Sequence, residues 1–337
     1  MTVYYLGQFP PPYGGVTVKN ALLSEFLSQR VSLKIFNFRK TNTAKIVFAL
    51  LTSKDDYFYI GFGNHKFQRA LVNTLAIIKP SVLPRCFLVA MGGMLPHSLE
   101  NNARYRKSCS KISRIYVETK SMAKRINELG MANVSVYPNC RKRPATVYTA
   151  NKNEDVLKCV FFSLIGPNKG ADVVLDAAEH LPGVEFHFYG HIEQSFKDTF
   201  DACISRLHNA FYHGVFDSVN NDAIAELSKY DVHIFPSRWI TEGVPGVLAE
   251  TKIAGVPSIV SNISYNAELV ESGYDGIVLE ECTVAALCRA IEELNADRNL
   301  LYSMKKAALV SAENYYVDCY IDGMISDLEE AQGKASS

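Results

Sequence analysis

The sequence predicts an α/β protein built from two doubly wound, Rossmann-like domains in tandem. Three observations predict it. Short β-rich apolar runs alternate with helical stretches along nearly the whole chain. Those runs lack polar alternation, the mark of strands covered on both faces in a parallel sheet. The alternation breaks at a turn-rich basic stretch, Pro138-Asn-Cys-Arg-Lys-Arg-Pro144, and then resumes.

In the first half the apolar runs place strands at Val3–Leu6, Val31–Phe36, Tyr57–Ile60, Cys86–Ala90, Ile115–Val117 and Val134–Tyr137. Between them, Val16–Ser28 has Leu22, Leu23, Phe26 and Leu27 spaced along one helical face, and Phe67–Ile78 is similarly amphipathic. After the basic stretch, strands are expected at Cys159–Leu164, Val184–Tyr189, Val232–Phe235, Ser258–Val260 and Gly276–Leu279, with helices between. The expected domains are 1–138 and 139–314, with a helix at about 315–332 packing back on the first. Ligands of such sheets sit beyond the C-terminal strand ends, so loops that follow strands, and a cleft between two facing domains, are where chemistry is expected.

Composition narrows the classes. With 337 residues, 48% of them hydrophobic, the chain can bury a core of domain size, which excludes a mainly disordered protein. The apolar stretch Ile46–Leu51 is far too short to span a bilayer, and the start MTVYYLGQFPPPYGG reads as strand and turn rather than a secretory signal. Eight cysteines without close pairing suggest reduced thiols in a cytosolic enzyme. Net charge is zero but split. Residues 1–138 hold 19 Lys and Arg against 6 Asp and Glu, or +13, which leaves −13 on the remainder. Two solvated faces would account for this; so would a basic module meeting nucleic acid, an anionic membrane or a phosphorylated acceptor. No basic motif interleaved with aromatics supports nucleic acid.

The segment Phe235-Pro-Ser-Arg-Trp-Ile-Thr-Glu-Gly-Val-Pro-Gly-Val-Leu-Ala-Glu250 leaves a strand, crosses a Gly/Pro loop and enters a helix at about Gly246. Free amides at a helix N-terminus attract phosphate, and Gly243 and Gly246 let it approach the backbone. Glu250, one turn in, can accept ribose hydroxyls, and Glu242 in the loop can orient a sugar. An ordinary strand–loop–helix with surface glutamates is the plain alternative. Other motifs fail. Gly61-Phe-Gly63-Asn-His-Lys66 begins like a dinucleotide fingerprint, but Lys66 replaces the third glycine, so a tight turn is expected. There is no Walker loop, His-Glu-x-x-His, Cys-x-x-Cys or Asp-x-Asp pair, and no metal site is expected.

Glu242-x7-Glu250 followed by Ala254-Gly255-Val256-Pro257 resembles the signature of retaining GT-B glycosyltransferases of the family-four type. Pro11-Pro-Tyr-Gly-Gly15, Val136-Tyr-Pro-Asn139, Pro167-Asn-Lys169-Gly170 and Tyr189-Gly190-His191 resemble the family's glycine loop, hinge, phosphate-lysine turn and following strand end. The resemblance implies two facing Rossmann-like domains, the first for acceptor and the second for a UDP, GDP or ADP sugar. It implies catalytic roles for Glu242 and Lys169, and donor contacts from Gly14, Gly15, Arg238, Gly243, Gly246, Val247 and Glu250. The reaction implied is metal-independent hexose transfer with retention, onto a glycan acceptor, a lipid-linked one in surface-polysaccharide assembly included. No cofactor beyond the donor is implied.

Two departures stand out. Leu164 occupies the place of the family's second phosphate cation, and Arg238 is a candidate replacement. The strand expected at Cys86–Ala90 is followed by Met91-Gly92-Gly93 instead of a histidine, which leaves Met91, Gly92, His65 and His97 as acceptor-side candidates. These departures also admit a non-catalytic, nucleotide-binding or regulatory protein of the same fold. The cluster Arg104, Arg106, Lys107, Lys111 and Arg114, with Lys120, Lys124 and Arg125 after it, suggests peripheral contact with the cytoplasmic face of an anionic membrane.

Overall fold

The structure, a computed structural model, describes residues 2–38, 43–152, 155–240 and 243–336. It consists of two compact units, Met1–Arg143 with Tyr315–Ser337, and Pro144–Asn314. Both are α/β units built on wholly parallel six-stranded sheets.

The first sheet comprises β1 (Val3–Gly7), β2 (Leu33–Asn37), β3 (Tyr57–Gly61), β4 (Cys86–Val89), β5 (Arg114–Val117) and β6 (Val134–Val136), in the order β2-β1-β3-β4-β5-β6. Strand order reverses between β1 and β3, so the loops after these strands flank the switch point where doubly wound sheets take ligands. Strands β3 and β4 are buried at every position, as their unbroken apolar runs require. Tyr5, Tyr59 and Phe87 stack through the core, with ring centroids 6.2 and 4.8 Å apart along the series.

The last helix, Asp318–Ser336, completes this core rather than extending the second unit. Val317, Ile321, Met324, Leu328 and Ala331 join the cluster of Val3, Leu23, Leu27 and Phe87. The Tyr59 hydroxyl donates to the Met324 carbonyl at 3.2 Å, and Asp327 accepts from Arg114 and Tyr116 at 2.7 and 2.8 Å. The first crossing between units falls at Arg143/Pro144, beyond the expected Pro138, because Arg141 and Arg143 are tied to the returning chain. The Arg141 amide donates to Tyr315 O at 2.7 Å, and the Arg143 guanidinium lies 3.9 Å over the Tyr316 ring.

The second sheet comprises β7 (Lys158–Phe162), β8 (Glu185–Tyr189), β9 (Ala210–Tyr212), β10 (Val232–Phe235), β11 (Ser258–Ser261) and β12 (Gly276–Leu279), in the order β12-β11-β10-β7-β8-β9. Its switch point lies between β7 and β10. Phe161, Phe186, Phe188 and Ile234 fill one side of the core with Leu287 and Ile291 of the helix Val284–Ala296. Two buried ion pairs stand at the N-terminal strand ends, away from the switch point. Lys305 meets Asp231, just before β10, at 2.7 Å, and Lys252 meets Asp275, just before β12.

Three sequence expectations need correction. Strand β7 ends at Phe162, so Leu164 lies in the following loop, 40% exposed. Edge strand β9 was not expected. The helix Gly15–Ser28 buries Lys19, Asn20, Leu23, Ser24 and Leu27, whereas Leu22 and Phe26 are only partly covered. The inward face is therefore rotated toward polar residues, for a reason found at the strand ends.

Candidate active site

At the second unit's switch point, two loops are fastened into one body. After β7 the chain makes a tight turn, Pro167–Lys169, closed by Gly170 at φ 78°. A side chain at Gly170 would be strained there, and its Cβ would stand 2.3 Å from the Pro236 carbonyl oxygen. That close approach brings the loop after β10 against the turn. The Arg238 amide donates to Asn168 O at 2.8 Å, and its guanidinium donates to Pro167 O at 3.0 Å. The Ser261 hydroxyl, at the end of β11, donates to Ser237 O. Lys169 projects from the turn, with its ammonium 5.5 Å from the Phe235 ring centroid and 5.6 Å from that of Trp239.

The helix Gly246–Ala254 starts after Pro245, with no side-chain cap and no acidic residue in its first turn. Its amide end is thus suited to an anion. Leu248, Ala249 and Thr251–Ala254 are buried, while Gly246, Val247 and Glu250 are half-buried. Spacings of three and four place these last three positions on one side of the helix start. The buried Lys252–Asp275 pair fixes the far end of the helix. Gly243 lies in the approach loop, whereas Glu242 lies outside the described residues.

The structure thus brings Lys169, Arg238, Gly243, Gly246, Val247 and Glu250 to elements that follow β7 and β10. Arg238, however, spends its charge locally. Both its terminal nitrogens donate to the Asp172 carboxylate at 3.0 Å. As a stand-in for the guanidinium absent at Leu164 it is therefore already half neutralised.

In the first unit, Gly14 and Gly15 sit at the start of the helix Gly15–Ser28, where the loop is closed by Gly14 N–H donating to Thr17 Oγ1 at 3.0 Å. Met91 is buried behind β4. His97 is exposed on the helix Leu95–Glu100, in contact with the Asn101 amide at 3.2 Å. His65 opens the helix His65–Ile78, with its Nδ1 buried and without a hydrogen-bond partner. Burial holds its imidazole below the usual histidine range, opposed by the Glu118 charge.

Sequence reasoning missed the polar residues that organise this end of the sheet. Lys19, 1% exposed, donates to Glu118 Oε1 at 2.8 Å and to the Ala90 carbonyl at 3.2 Å. The Gly92 amide donates to the same carboxylate oxygen at 3.2 Å. Glu118 follows β5, so this pair lies at the ligand end of the sheet, unlike the two in the second unit. Asn20 accepts from Tyr5 OH at 2.8 Å and donates to Gly61 O at 2.9 Å. A Cβ on Gly61 would stand 2.3 Å from Asn20 Oδ1, so packing accounts for this glycine. One signal was present: Lys19 is in line with Leu23 and Leu27 at spacings of four.

The basic cluster is thinned by the fold. Arg114 is paired with Asp327, Arg125 with Glu100 at 2.7 Å, and Arg106 donates to Leu99 O at 3.2 Å. Arg104, Lys107, Lys111, Lys120 and Lys124 remain exposed.

Residues 144–310 match the family model described as glycosyl transferases group 1. A segment of 114 residues is 30% identical to UDP-Gal:alpha-D-GlcNAc-diphosphoundecaprenol alpha-1,3-galactosyltransferase of Escherichia coli, covering 32% of this chain and 29% of that enzyme. Among solved structures, Anabaena Alr3699/HepE in complex with UDP superposes with a TM-score of 0.74 at 15% identity, covering 98% of this chain and 100% of the other. Sucrose-phosphate synthase from Thermosynechococcus elongatus gives 0.77 at 12% identity, covering 100% of both chains. Likeness at these identities shows the fold, which is GT-B.

Proposed function

With residues 144–310 matching the family model of glycosyl transferases group 1, we propose that this chain is a retaining hexosyltransferase that uses a UDP-sugar. The observation that supports the proposal is that the turn bearing Lys169 follows β7, while the uncapped helix start and Glu250 follow β10, its neighbour across the switch point. In this reading Lys169 and the amides of Gly246 and Val247 take the diphosphate, and Glu250 takes the ribose. Glu242, assigned by resemblance, orients the hexose. UDP is favoured because the Anabaena structure holds UDP and the E. coli relative uses UDP-Gal. Charge on the leaving group is met by a cation and helix amides, with no metal in the reading. The acceptor hydroxyl attacks from the leaving-group side and passes its proton to a diphosphate oxygen.

A thermal-shift panel of UDP, GDP, ADP and their sugar conjugates tests the donor, because a ligand that binds the folded state stabilises it by mass action. Stabilisation by UDP and UDP-sugars is expected, and none by any nucleotide would refute the donor site. Retention is read from the anomeric configuration of the product. Glu250→Ala should weaken UDP binding by ~1.5–3 kcal/mol, the range for a lost hydrogen bond to a charged group. Isothermal titration measures it, and an unchanged affinity removes Glu250 from the site.

The proposed acceptor is a glycan on a lipid diphosphate, supported by the E. coli relative's diphosphoundecaprenol substrate and by the exposed cations Arg104, Lys107, Lys111, Lys120 and Lys124. No helix among the described residues is long and apolar enough to cross a membrane. Near an anionic leaflet each such cation contributes about 1 kcal/mol, so several can hold the first unit at a surface. Sedimentation should show salt-sensitive binding to anionic vesicles, absent with neutral ones and lost when Arg104, Lys107, Lys111 and Lys124 are neutralised together. No binding at low salt would leave a soluble acceptor. A second reading, a nucleotide-binding protein without turnover, is favoured by Leu164 and by the Arg238–Asp172 pair. Nucleotide binding without transfer from any sugar conjugate would establish it.

A further inference from the structure

We propose that Trp239 is a positioning residue for the donor diphosphate, acting through Lys169 and resting on the donor-site reading above. The Lys169 ammonium lies 5.5 and 5.6 Å from the Phe235 and Trp239 ring centroids, within the roughly 6 Å over which a ring face attracts a cation. Phe235 is buried at the end of β10, whereas Trp239 stands 43% exposed. Burial of apolar surface therefore does not account for the full indole.

The ring is carried on a fixed support. Trp239 N–H donates to Ser237 Oγ at 3.2 Å, and Ser237 O receives the Ser261 hydroxyl. Arg238 is bound to Asn168 O, Pro167 O and Asp172, and Pro236 O accepts from Cys282 Sγ at 3.2 Å. Lysine and ring thus belong to the same body. A lysine has a long, rotamer-rich stem, and holding it in place beforehand removes part of the ordering entropy of binding. A ring face attracts the cation through its quadrupole and adds no charge of its own. These ring contacts offset the missing cation at Leu164 by keeping the one at Lys169 aimed.

Trp239 is the chain's single tryptophan, so its emission reports on this position without interference. Titration of the full chain with UDP should give a saturable emission change whose midpoint matches that of thermal stabilisation. Trp239→Ala should keep the unliganded melting temperature and weaken UDP binding about two- to fivefold, the range of an exposed cation–π contact. Trp239→Phe should restore most of that loss. In Lys169→Ala the emission change should disappear at UDP concentrations that still saturate the site. Wild-type UDP affinity in Trp239→Ala, or stabilisation by UDP with unchanged Trp239 emission, overturns this inference alone. No stabilisation by UDP, GDP or ADP overturns the donor site and the inference with it.

Discussion

Lys169→Ala should lower kcat by about 10²–10³, the loss typical of removing one preorganised donor to transition-state charge. The expectation is at the upper end of that range because the usual partner cation is absent at Leu164 and Arg238 is engaged by Asp172. KM for the donor should rise less than kcat falls, since charge on the diphosphate grows as the glycosidic bond breaks. Lys169→Arg should not rescue fully, because a guanidinium spreads over a planar fork the charge that an ammonium presents as a compact point. Steady-state kinetics with a UDP-sugar decide the point. A fall of less than about tenfold would mean that helix amides, not Lys169, meet most of the developing charge.

Lys19→Met should destabilise the first unit by about 3–5 kcal/mol, because it removes the buried ammonium that meets the buried Glu118 carboxylate. Lys19→Met with Glu118→Leu should recover much of that loss, since two apolar side chains replace two desolvated charges. The double variant still removes the acceptor of the Gly92 amide, so the loop after β4 should loosen even where stability returns. Urea unfolding measures both effects. A loss below roughly 1 kcal/mol in Lys19→Met would place the pair with exposed ion pairs. The position of the pair argues for function. The Lys305–Asp231 and Lys252–Asp275 pairs stand at strand N-termini, where they join elements, whereas Lys19–Glu118 stands at the strand C-termini, the end at which doubly wound sheets take ligands.

The fold was legible because buried parallel strands announce themselves as apolar runs, and β3, β4 and β10 are buried at each position. Strand β9 was not, for a physical reason. It has three residues, Phe211 and Tyr212 face partly outward, and histidines flank it, so no periodicity can accumulate. That loops follow β7 and β10 could be read because glycine and proline mark where strands end. The Lys19–Glu118 pair could not, because its members are distant in sequence and each looks like an ordinary surface charge. Arg238 shows the same limit, since only the turn through Gly170 brings Asp172 to it.

The return of the helix Asp318–Ser336 to the first unit has a consequence for biosynthesis. The core of Val3, Leu27 and Phe87 is closed by Ile321, Met324 and Leu328, which leave the ribosome after the whole of the second unit. The second unit, Pro144–Asn314, is continuous and can fold while the first still exposes apolar surface. The unit begun first is therefore completed after the second. Removing residues after Asn314 should release the first unit to proteases while the second stays protected. Long-range closure of this kind slows folding, so nascent chains stalled near residue 314 should be the aggregation-prone species.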